Sequence, residues 1–335
     1  MGPYFPEFSA RFRDMMAALA PGTIAVVGHA RPDGDCIGAQ VALARVLRSL
    51  GRTVVCANPD PVPRRLKFLA AGLEFLPADA LTGEIQAIFV DCADHSRAGE
   101  KMRRRFPKPV ANVDHHLSNT GYADRNFVDT AAAATCEILA GMFFDNDYPI
   151  DAATAAALYA GIITDTGQFR FSSTTQQTFE LAAGLVARGA RPAAVGEELY
   201  ERETPGKLRL LQRFLASFEM EFEGRVCIGT LANGVFAETG TSGEDTEGLV
   251  DYARSMDGVQ VGVLIEFRPD GLKASLRSKD PAFRLDRVAA QFGGGGHACA
   301  AGLSLKGTEI EGFRARLLSA LRTQISAAEG GTTSI

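Results

Sequence analysis

Short apolar runs alternate with amphipathic segments along the first part of this chain. The runs are rich in Val, Ile and Ala, which is typical of strands buried on both faces, and they lie at residues 23–27, 53–57, 85–90 and 110–113. Residues 37–50 carry apolar side chains at helical spacing and are followed by Gly51, which predicts an amphipathic helix. Strands that alternate with helices predict an α/β domain with a doubly wound, mostly parallel sheet.

The pattern changes twice further along the chain. Residues 131–163 are Ala-rich and predicted to be helical, with Asp151 as an N-cap. Helices are also predicted at residues 175–187 and 192–217, with a break at Pro205-Gly206. A new set of elements then follows, with strands at residues 225–231, 259–267 and 272–277 and helices at residues 284–292 and 308–325. The second half is therefore predicted to be a smaller α+β domain.

These changes divide the chain into four predicted segments. The first domain covers residues 1–190, and a helical linker covers residues 191–217. The second domain covers residues 218–326. Residues 327–335 are small and polar, which predicts a disordered tail.

Composition narrows the classes of function. The chain has 335 residues, 46% of them hydrophobic, enough for two globular domains. Its net charge of −5 gives no overall attraction to long duplex nucleic acid, although a small phosphorylated substrate is compatible with it. Six cysteines without a CxxC pair argue against a zinc knuckle or dithiol site and predict reduced thiols in a cytoplasmic protein. No signal peptide and no membrane span is predicted.

Histidine and aspartate residues follow three of the predicted strands. His29, Asp33 and Asp35 follow the first, Asp91 follows the strand at residues 85–90, and Asp114-His115-His116 follows the strand at residues 110–113. The carboxyl ends of strands are where an open α/β sheet binds ligands. Any one of these residues is most often a cap, a turn residue or a surface charge. Together, and with Asp165, they favour a site for two divalent metal ions.

Five motifs carry a resemblance to a known family. They are residues 28–35, 91–94, 114–116, 164–167 and 293–297, which read GHARPDGD, DCAD, DHH, TDTG and GGGGH. In this order they resemble the DHH-family phosphoesterases that have a DHHA1 domain, and most of all the nanoRNase/pAp phosphatases. The resemblance implies that residues 1–190 are a DHH catalytic domain and residues 218–326 a DHHA1 substrate-binding domain.

The resemblance also implies roles for the residues of the first domain. His29 and Asp33 would bind one manganese ion, Asp35 the other, and Asp91 would bridge the two, with Mg²⁺ or Co²⁺ as alternatives to Mn²⁺. His115 and Asp165 would complete the ligand set. Asp114 would orient His115, and His116 would face the scissile phosphate as a donor of a hydrogen bond or proton. His95 and Arg97 lie close after Asp91 and have no assigned role.

The second domain carries the residues expected to hold the nucleotide. The four glycines at 293–296 could expose consecutive backbone N–H groups to an anion, although the GK[ST] ending of a P-loop is missing. By resemblance, the phosphate and base would be held by Arg277, Ser278, Gly294, Gly295, Gly296 and His297. Arg170 of the first domain is a further candidate for binding the nucleotide.

The implied function is two-metal hydrolysis of short oligonucleotides and of 3′-phosphoadenosine 5′-phosphate (pAp), in a cleft too short for long duplex DNA. A stand-alone phosphodiesterase for cyclic or linear dinucleotides is the main alternative. A non-catalytic nucleotide sensor, a DHH-superfamily pyrophosphatase and a RecJ-like exonuclease are less favoured. Homodimers are common in the family, so a homodimer is a further expectation.

Overall fold

The chain forms two compact units that divide between Arg202 and Glu203. The structure is a computed structural model that describes residues 2–307 and 312–331. The division falls inside the segment predicted as a linker, because the helix before it contacts the first unit and the helix after it contacts the second. Among the described residues, no helix has the length and apolar character needed to cross a membrane.

The first unit is built around a six-stranded parallel sheet. Its strands lie in the order β3-β2-β1-β4-β5-β6. In chain order its elements are α1 (Pro6–Ala18), β1 (Thr23–Val27), α2 (Gly34–Ser49), β2 (Thr53–Ala57), β3 (Phe75–Leu76), β4 (Ile85–Val90), α3 (Gly99–Arg105), β5 (Ala111–Asp114), β6 (Arg125–Val128), α4 (Thr135–Asp145), α5 (Ala152–Asp165), α6 (Gln176–Ala187) and α7 (Pro192–Tyr200). The predicted doubly wound, parallel sheet is confirmed.

Both faces of this sheet are buried, which explains the continuous apolar runs. Ile24 and Val26 of β1 face the larger core, which residues of α1, α2, α4 and α5 also line. Their neighbours Ala25 and Val27 face a smaller core that includes Met102 of α3. Side chains alternate between the faces of a strand, so both sets of positions must be apolar here.

Glycines let α2 and α5 pack backbone to backbone. A Cβ added at Gly38 of α2 would lie 2.5 Å from the carbonyl oxygen of Ala157 in α5. A Cβ at Gly34 would collide with the side chain of Thr164. One at Gly161 would lie 2.7 Å from Oδ1 of Asp35. The close approach of these two helices therefore depends on residues without a Cβ.

The helical region predicted at residues 131–163 is two helices rather than one. The break between α4 and α5 contains Asp147, which has a φ of 51°, and Pro149. Proline disfavours helical geometry in the residue before it and cannot donate a backbone hydrogen bond. The second helix starts as predicted, since Asp151 caps it by accepting a hydrogen bond from Thr154 N at 2.8 Å.

The second unit is a mixed six-stranded sheet in the order β11-β12-β10-β9-β8-β7. Only the β8–β9 pair is parallel among the described strands of this sheet. Its elements in chain order are α8 (Pro205–Ala216), β7 (Glu219–Glu221), β8 (Val226–Leu231), α9 (Val235–Thr239), α10 (Leu249–Ser255), β9 (Val261–Arg268), β10 (Gly271–Ser278), α11 (Leu285–Ala290), β11 (Gly295–Gly296), β12 (Ala300–Lys306) and α12 (Phe313–Gly331). The expected α+β class is confirmed.

Two small cores flank the second sheet. Val261 and Val263 of β9 pack in a core with residues of α11 and α12. Leu264, on the opposite face, packs with residues of α8 and α10. The last helix continues to Gly331, so the first five residues of the predicted disordered tail are helical. Residues 308–311 of the last predicted helix and residues 332–335 of the tail lie outside the described residues.

We expect Gly38→Ala to destabilise the first unit by about 1–3 kcal/mol, because the new methyl group would overpack the α2–α5 contact. Gly196→Ala is the matched control, since Gly196 also lies in a helix, α7, and a Cβ there meets no atom within 4 Å. That control should be neutral or stabilising by up to about 1 kcal/mol. Urea denaturation of both variants measures the difference, and equal stabilities would contradict the packing argument.

Candidate active site

The predicted metal-binding side chains meet at the switch point of the first sheet. β1 lies between β2 and β4, so the strand order reverses direction there, and such a point forms a crevice at the carboxyl ends of the strands. The neighbouring strands β1, β4 and β5 deliver His29, Asp91 and the Asp114-His115-His116 segment to this edge. The structure brings all six predicted ligands together in one connected group. We call this group the edge cluster, and its members are His29, Asp33, Asp35, Asp91, His115 and Asp165.

The first turn of α2 supplies two of the carboxylates. Asp33 is the N-cap of α2, and its Oδ1 accepts a hydrogen bond from Cys36 N at 3.1 Å. Its Oδ2 lies 3.9 Å from Nε2 of His29. Asp35 lies inside the helix, in its first turn, because α2 starts at Gly34. A helical backbone therefore fixes the direction of the Asp35 side chain.

Asp91 lies between the two histidines of the edge cluster. Its Oδ2 lies 3.3 Å from Nε2 of His29, and its Oδ1 lies 3.7 Å from Nε2 of His115. The residue has a φ of 55°, in the left-handed region that aspartate tolerates better than most residues. Backbone strain of this kind persists where the surroundings fix it, and it often marks a functional site.

Asp35 lies at the amino end of α4. Its Oδ2 accepts a hydrogen bond from Thr135 N at 2.6 Å, and its Oδ1 accepts one from Cys136 N at 2.9 Å. The first N–H groups of a helix have no partner within the helix, and the helix dipole favours negative charge there. The same Thr135 donates its hydroxyl to Oδ1 of Asp91 at 3.1 Å. Nothing in the sequence indicated this role for Thr135, because only the tertiary fold brings α4 to the sheet edge.

His115 faces three carboxylates from three different elements. Its Nε2 lies 3.3 Å from Asp165 Oδ2, 3.7 Å from Asp91 Oδ1 and 3.9 Å from Asp35 Oδ2. Asp165 is the last residue of α5, so the α2–α5 packing sets its distance from Asp35. The side chains of Asp33 and Asp165 are 45% and 25% exposed, while the other four are at most 11% exposed. The cluster is therefore open to solvent at these two carboxylates.

The two histidines of the edge cluster are oriented as metal ligands are. Nδ1 of His29 donates to the carbonyl oxygen of Ala30 at 2.8 Å, and Nδ1 of His115 points to that of Ala132 at 3.3 Å. A carbonyl oxygen that accepts a hydrogen bond from Nδ1 fixes the tautomer and leaves the lone pair of Nε2 for a metal ion. Ligand atoms about 2.1 Å from one ion in octahedral geometry lie about 3–4 Å apart, which matches the Nε2–oxygen distances. The donor set therefore fits divalent metal ions.

Burial and mutual repulsion perturb the carboxylates strongly. Burial raises the pKa of Asp35 well above its usual value, and the charges of Asp91 and Asp165 raise it further. Burial also raises the pKa of Asp165 to about 6. Burial opposes ionisation of Asp91 too, but the hydrogen bond from His29 and the histidine charges lower its pKa overall. These carboxylates therefore need positive charge nearby, from protons or from metal ions.

Cys36 lies beside His29 and Asp91 and is a third potential ligand there. Its sulfur accepts a hydrogen bond from His29 N at 3.4 Å. Burial raises the pKa of the Cys36 thiol. Thiolate ligands select softer ions, whereas carboxylate oxygens suit ions such as Mg²⁺ and Mn²⁺. The ligand set is therefore best described by carboxylates and imidazoles.

The expected role of Asp114 is wrong in one respect. Oδ1 of Asp114 accepts a hydrogen bond from Nδ1 of His116 at 2.7 Å, whereas Nδ1 of His115 points to the carbonyl oxygen of Ala132. In extended backbone, side chains two residues apart point to the same side, so Asp114 pairs with His116 and not with its neighbour. Its second oxygen, Oδ2, accepts a hydrogen bond from Asn119 Nδ2 at 2.6 Å.

His116 also has a neighbour that the sequence left without a role. Nη1 of Arg97 lies 3.1 Å from Nε2 of His116. Both ring nitrogens of His116 are therefore engaged, which disagrees with the expected donation of a hydrogen bond or proton to substrate. The position of Arg97, six residues after Asp91, was the available signal, but a surface arginine would look the same in the sequence.

Two of the predicted nucleotide-binding residues lie on opposite faces of one strand in the second unit. Arg277 is half-buried on the face of β10 that also carries Lys273 and Ser275. Ser278 is buried on the opposite face, where its hydroxyl donates to the carbonyl oxygen of Asp280 at 3.0 Å. Neighbouring residues of a strand point to opposite faces, so Arg277 and Ser278 cannot act side by side. Ser275 is the serine that shares a face with Arg277.

The glycine run is more structured than predicted. The N–H groups of Gly293 and Gly294 donate to the carbonyls of Ala290 and Ala289 at the end of α11, at 3.1 and 2.9 Å. His297 N donates to the carbonyl of Ala300 at 2.7 Å. The expectation of a continuous row of available N–H groups is therefore wrong, because the run ends a helix and forms β11.

Glycine is nevertheless required at two positions of this run. Gly296 has a φ of 142°, and at Gly294 a Cβ would lie 2.7 Å from Cβ of Leu303. Gly295 has no atom within 4 Å of an added Cβ, and it is exposed together with Gly296 and His297. The run therefore presents an open backbone surface.

Arg170 lies in a strained turn directly after Asp165. Gln168 and Phe169 both have a φ of 62°, and Nε of the exposed Arg170 donates to the carbonyl of Gly167 at 2.7 Å. The turn reverses the chain beside a predicted ligand. This placement keeps Arg170 near the edge cluster in sequence, and its role in binding a nucleotide stays a prediction.

The chain belongs to the DHH family of phosphoesterases. It matches the DHH family, N-terminal domain, over residues 23–162 and the DHHA1 domain over residues 224–326. DHH-family enzymes are metal-dependent, and the structure holds groups of His and Asp side chains that could bind metal ions. The family predicted from the five motifs is confirmed.

Three proteins that are similar to this chain show which members of the DHH family it resembles. The bifunctional oligoribonuclease and PAP phosphatase NrnA of Thermus thermophilus is 32% identical over 308 residues, which cover 92% of this chain and 91% of that protein. The protein of the same name from Bacillus subtilis is 26% identical over 291 residues, 84% of this chain and 89% of its own length. The crystal structure of an exopolyphosphatase-related protein from Bacteroides fragilis, at 21% identity, covers 97% of this chain and 98% of its own, with a TM-score of 0.86, which shows the same fold.

We expect Mn²⁺ to raise the melting temperature of the first unit, because an ion that binds only the folded state stabilises it. At a concentration of about 100 Kd the gain is roughly 2.7 kcal/mol, or about 5–10 °C. Asp91→Asn should lose most of this shift, since Asp91 contacts both halves of the edge cluster.

Asp79→Asn is the matched control, because Asp79 is an exposed aspartate that pairs with Lys101 on the surface. It should keep the full Mn²⁺ shift. Thermal denaturation with and without Mn²⁺, together with calorimetric titration, checks both variants. Binding of Mn²⁺ to Asp91→Asn with wild-type affinity would contradict the assignment.

Proposed function

We propose that this chain is a metal-dependent phosphoesterase that hydrolyses short oligonucleotides and pAp. The observation that carries the proposal is the edge cluster, in which four carboxylates and two imidazoles converge at the switch point of a parallel sheet. The relatives named as oligoribonuclease and PAP phosphatase align with both domains, and this supports a substrate of the same class. Such substrates are short and carry phosphate groups.

The ligands divide into two sets with one shared member. His29 and Asp33 would hold one ion, and Asp35, His115 and Asp165 the other, with Asp91 between them. The two oxygens of Asp91 face different histidines, which supports this bridging role. When bound, the two ions supply activation of the attacking water and neutralise the phosphate oxygens. Oxygen and imidazole donors without thiolate suit Mn²⁺, with Mg²⁺ and Co²⁺ as alternatives.

The side chains around the ions would keep this geometry rigid. Thr135 holds Asp91 through its hydroxyl, and the amino end of α4 holds Asp35 through two N–H groups. Donors and ligands that are fixed before the substrate binds need no reorganisation during the reaction. In the second unit, Arg277 would bind a substrate phosphate, since a guanidinium offers two parallel donors to it. The exposed Gly295, Gly296 and His297 would contact the rest of the nucleotide.

One assay tests the proposal against the alternatives. Purified protein with Mn²⁺ should hydrolyse pAp and a linear dinucleotide, and EDTA should abolish both activities. Asp91→Ala should lose at least about 10³-fold in kcat and remain folded by circular dichroism, because both ion sites lose a ligand. A cyclic dinucleotide and pyrophosphate are assayed in parallel. A clear preference for either of these, or full activity in EDTA, would refute the proposed substrate class or the metal dependence.

Arg277→Ala should raise KM for pAp by about tenfold or more and change KM for a chromogenic phosphodiester much less, because only the nucleotide has a second phosphate for this arginine to bind. Arg213→Ala, at an exposed arginine of α8 that pairs with Glu238, is the matched control and should leave both KM values unchanged. Steady-state kinetics on the two substrates gives the comparison. Equal effects on both substrates would argue against recognition by Arg277.

A further inference from the structure

Arg97 places a positive charge next to the edge cluster. Its Nη1 lies 3.1 Å from Nε2 of His116, and Nδ1 of the same ring lies 3.6 Å from Oδ1 of Asp91. The guanidinium is therefore one imidazole ring away from the carboxylate that both ion sites share. Its side chain is neither buried nor fully exposed, so it can reach a bound ligand.

The protons of this contact can be assigned from chemistry. A guanidinium has N–H donors and no acceptor, so Nε2 of His116 must accept the hydrogen bond from Arg97. The ring proton then lies on Nδ1, which donates to Asp114 at 2.7 Å. In this arrangement His116 has no N–H left for the substrate. The guanidinium of Arg97 is then the side chain next to the edge cluster that can still donate hydrogen bonds.

The backbone holds Arg97 in place. The carbonyl oxygen of Arg97 accepts a hydrogen bond from Ala30 N at 2.7 Å, which ties it to the loop that carries His29. Asp94 caps the short 3₁₀ turn that contains Arg97, because its side chain accepts a hydrogen bond from Ser96 N at 2.8 Å. Asp114, with Asn119 on its other oxygen, holds His116 from the far side. The guanidinium is thus fixed by contacts that do not depend on substrate.

We infer that Arg97 is a catalytic residue that binds a non-bridging oxygen of the scissile phosphate, and that His116 is the residue that positions it. The inference rests on the proposed phosphoesterase function. A phosphate brings negative charge to a site that already holds four carboxylates, and a fixed guanidinium offsets that charge. Fixed donors of this kind stabilise the transition state more than the ground state when they match the developing charge.

The test compares Arg97→Ala and Arg97→Lys with Arg103→Ala, a control at an exposed arginine of α3. Arg97→Ala should lower kcat/KM for pAp by about 10²-fold or more, as removal of one fixed donor does. Inhibition by inorganic phosphate should weaken by about tenfold, the loss expected for one charged contact. Arg97→Lys should recover part of both, and Arg103→Ala should match the wild type. The affinity for Mn²⁺ should stay unchanged in all three, because Arg97 is not a ligand.

The outcomes separate this inference from the proposed function. Wild-type activity in Arg97→Ala, or unchanged phosphate inhibition in a variant with reduced activity, would overturn the role of Arg97 and leave the phosphoesterase function intact. Inactivity of the wild type with Mn²⁺ on every phosphoester would overturn both. If Arg97→Ala does not fold, Arg97→Gln, which removes the charge and keeps a polar side chain, decides: wild-type phosphate inhibition together with wild-type kcat/KM in that variant would overturn the role of Arg97.

Discussion

The requirement to hold four carboxylates close together at the edge of a parallel sheet governs the first unit. Taking carboxylates out of water and placing them side by side costs free energy unless donors or cations surround them. The fold supplies three kinds of compensation: two histidines, the amino end of α4, and the hydroxyl of Thr135. The raised pKa values of Asp35 and Asp165 show that this compensation is incomplete without further positive charge. The proposed pair of divalent ions would provide that charge.

Packing far from the sheet edge serves the same requirement. Asp35 lies in the first turn of α2 and Asp165 ends α5, so the distance between the two helices sets the distance between the two carboxylates. Gly34, Gly38 and Gly161 allow the helices to approach with no side chain between them. A core position such as Gly38 would therefore influence the proposed ion binding through helix spacing. The left-handed backbone conformation of Asp91 serves the same requirement, because local strain is tolerated where it directs a ligand side chain.

The second unit presents a different kind of surface, in which backbone and small residues replace charged clusters. Arg277 shares a strand face with Lys273 and Ser275, while Ser278 belongs to the opposite face. The glycine run uses the N–H groups of Gly293 and Gly294 to end α11, the N–H of His297 donates to the carbonyl of Ala300 beyond β11, and the exposed part of the run is the backbone of Gly295 and Gly296. A Cβ is excluded at Gly294 and Gly296 by the chain itself, because it would collide with the carbonyl oxygens of Gly302 and Ala300, respectively.

The sequence by itself determined the family, the fold classes of the two units, the four central strands of the first sheet and the six side chains of the edge cluster. It could do so because buried parallel strands are apolar on both faces and because ligand-bearing residues follow such strands directly. It did not determine which neighbour Asp114 holds, the presence of Thr135 and Arg97 at the site, or the separation of Ser278 from Arg277. Those features arise from contacts between segments distant along the chain, or from the face of a strand to which a side chain points. The tertiary structure decided them, because hydrogen-bond partners are set by distance and direction in space.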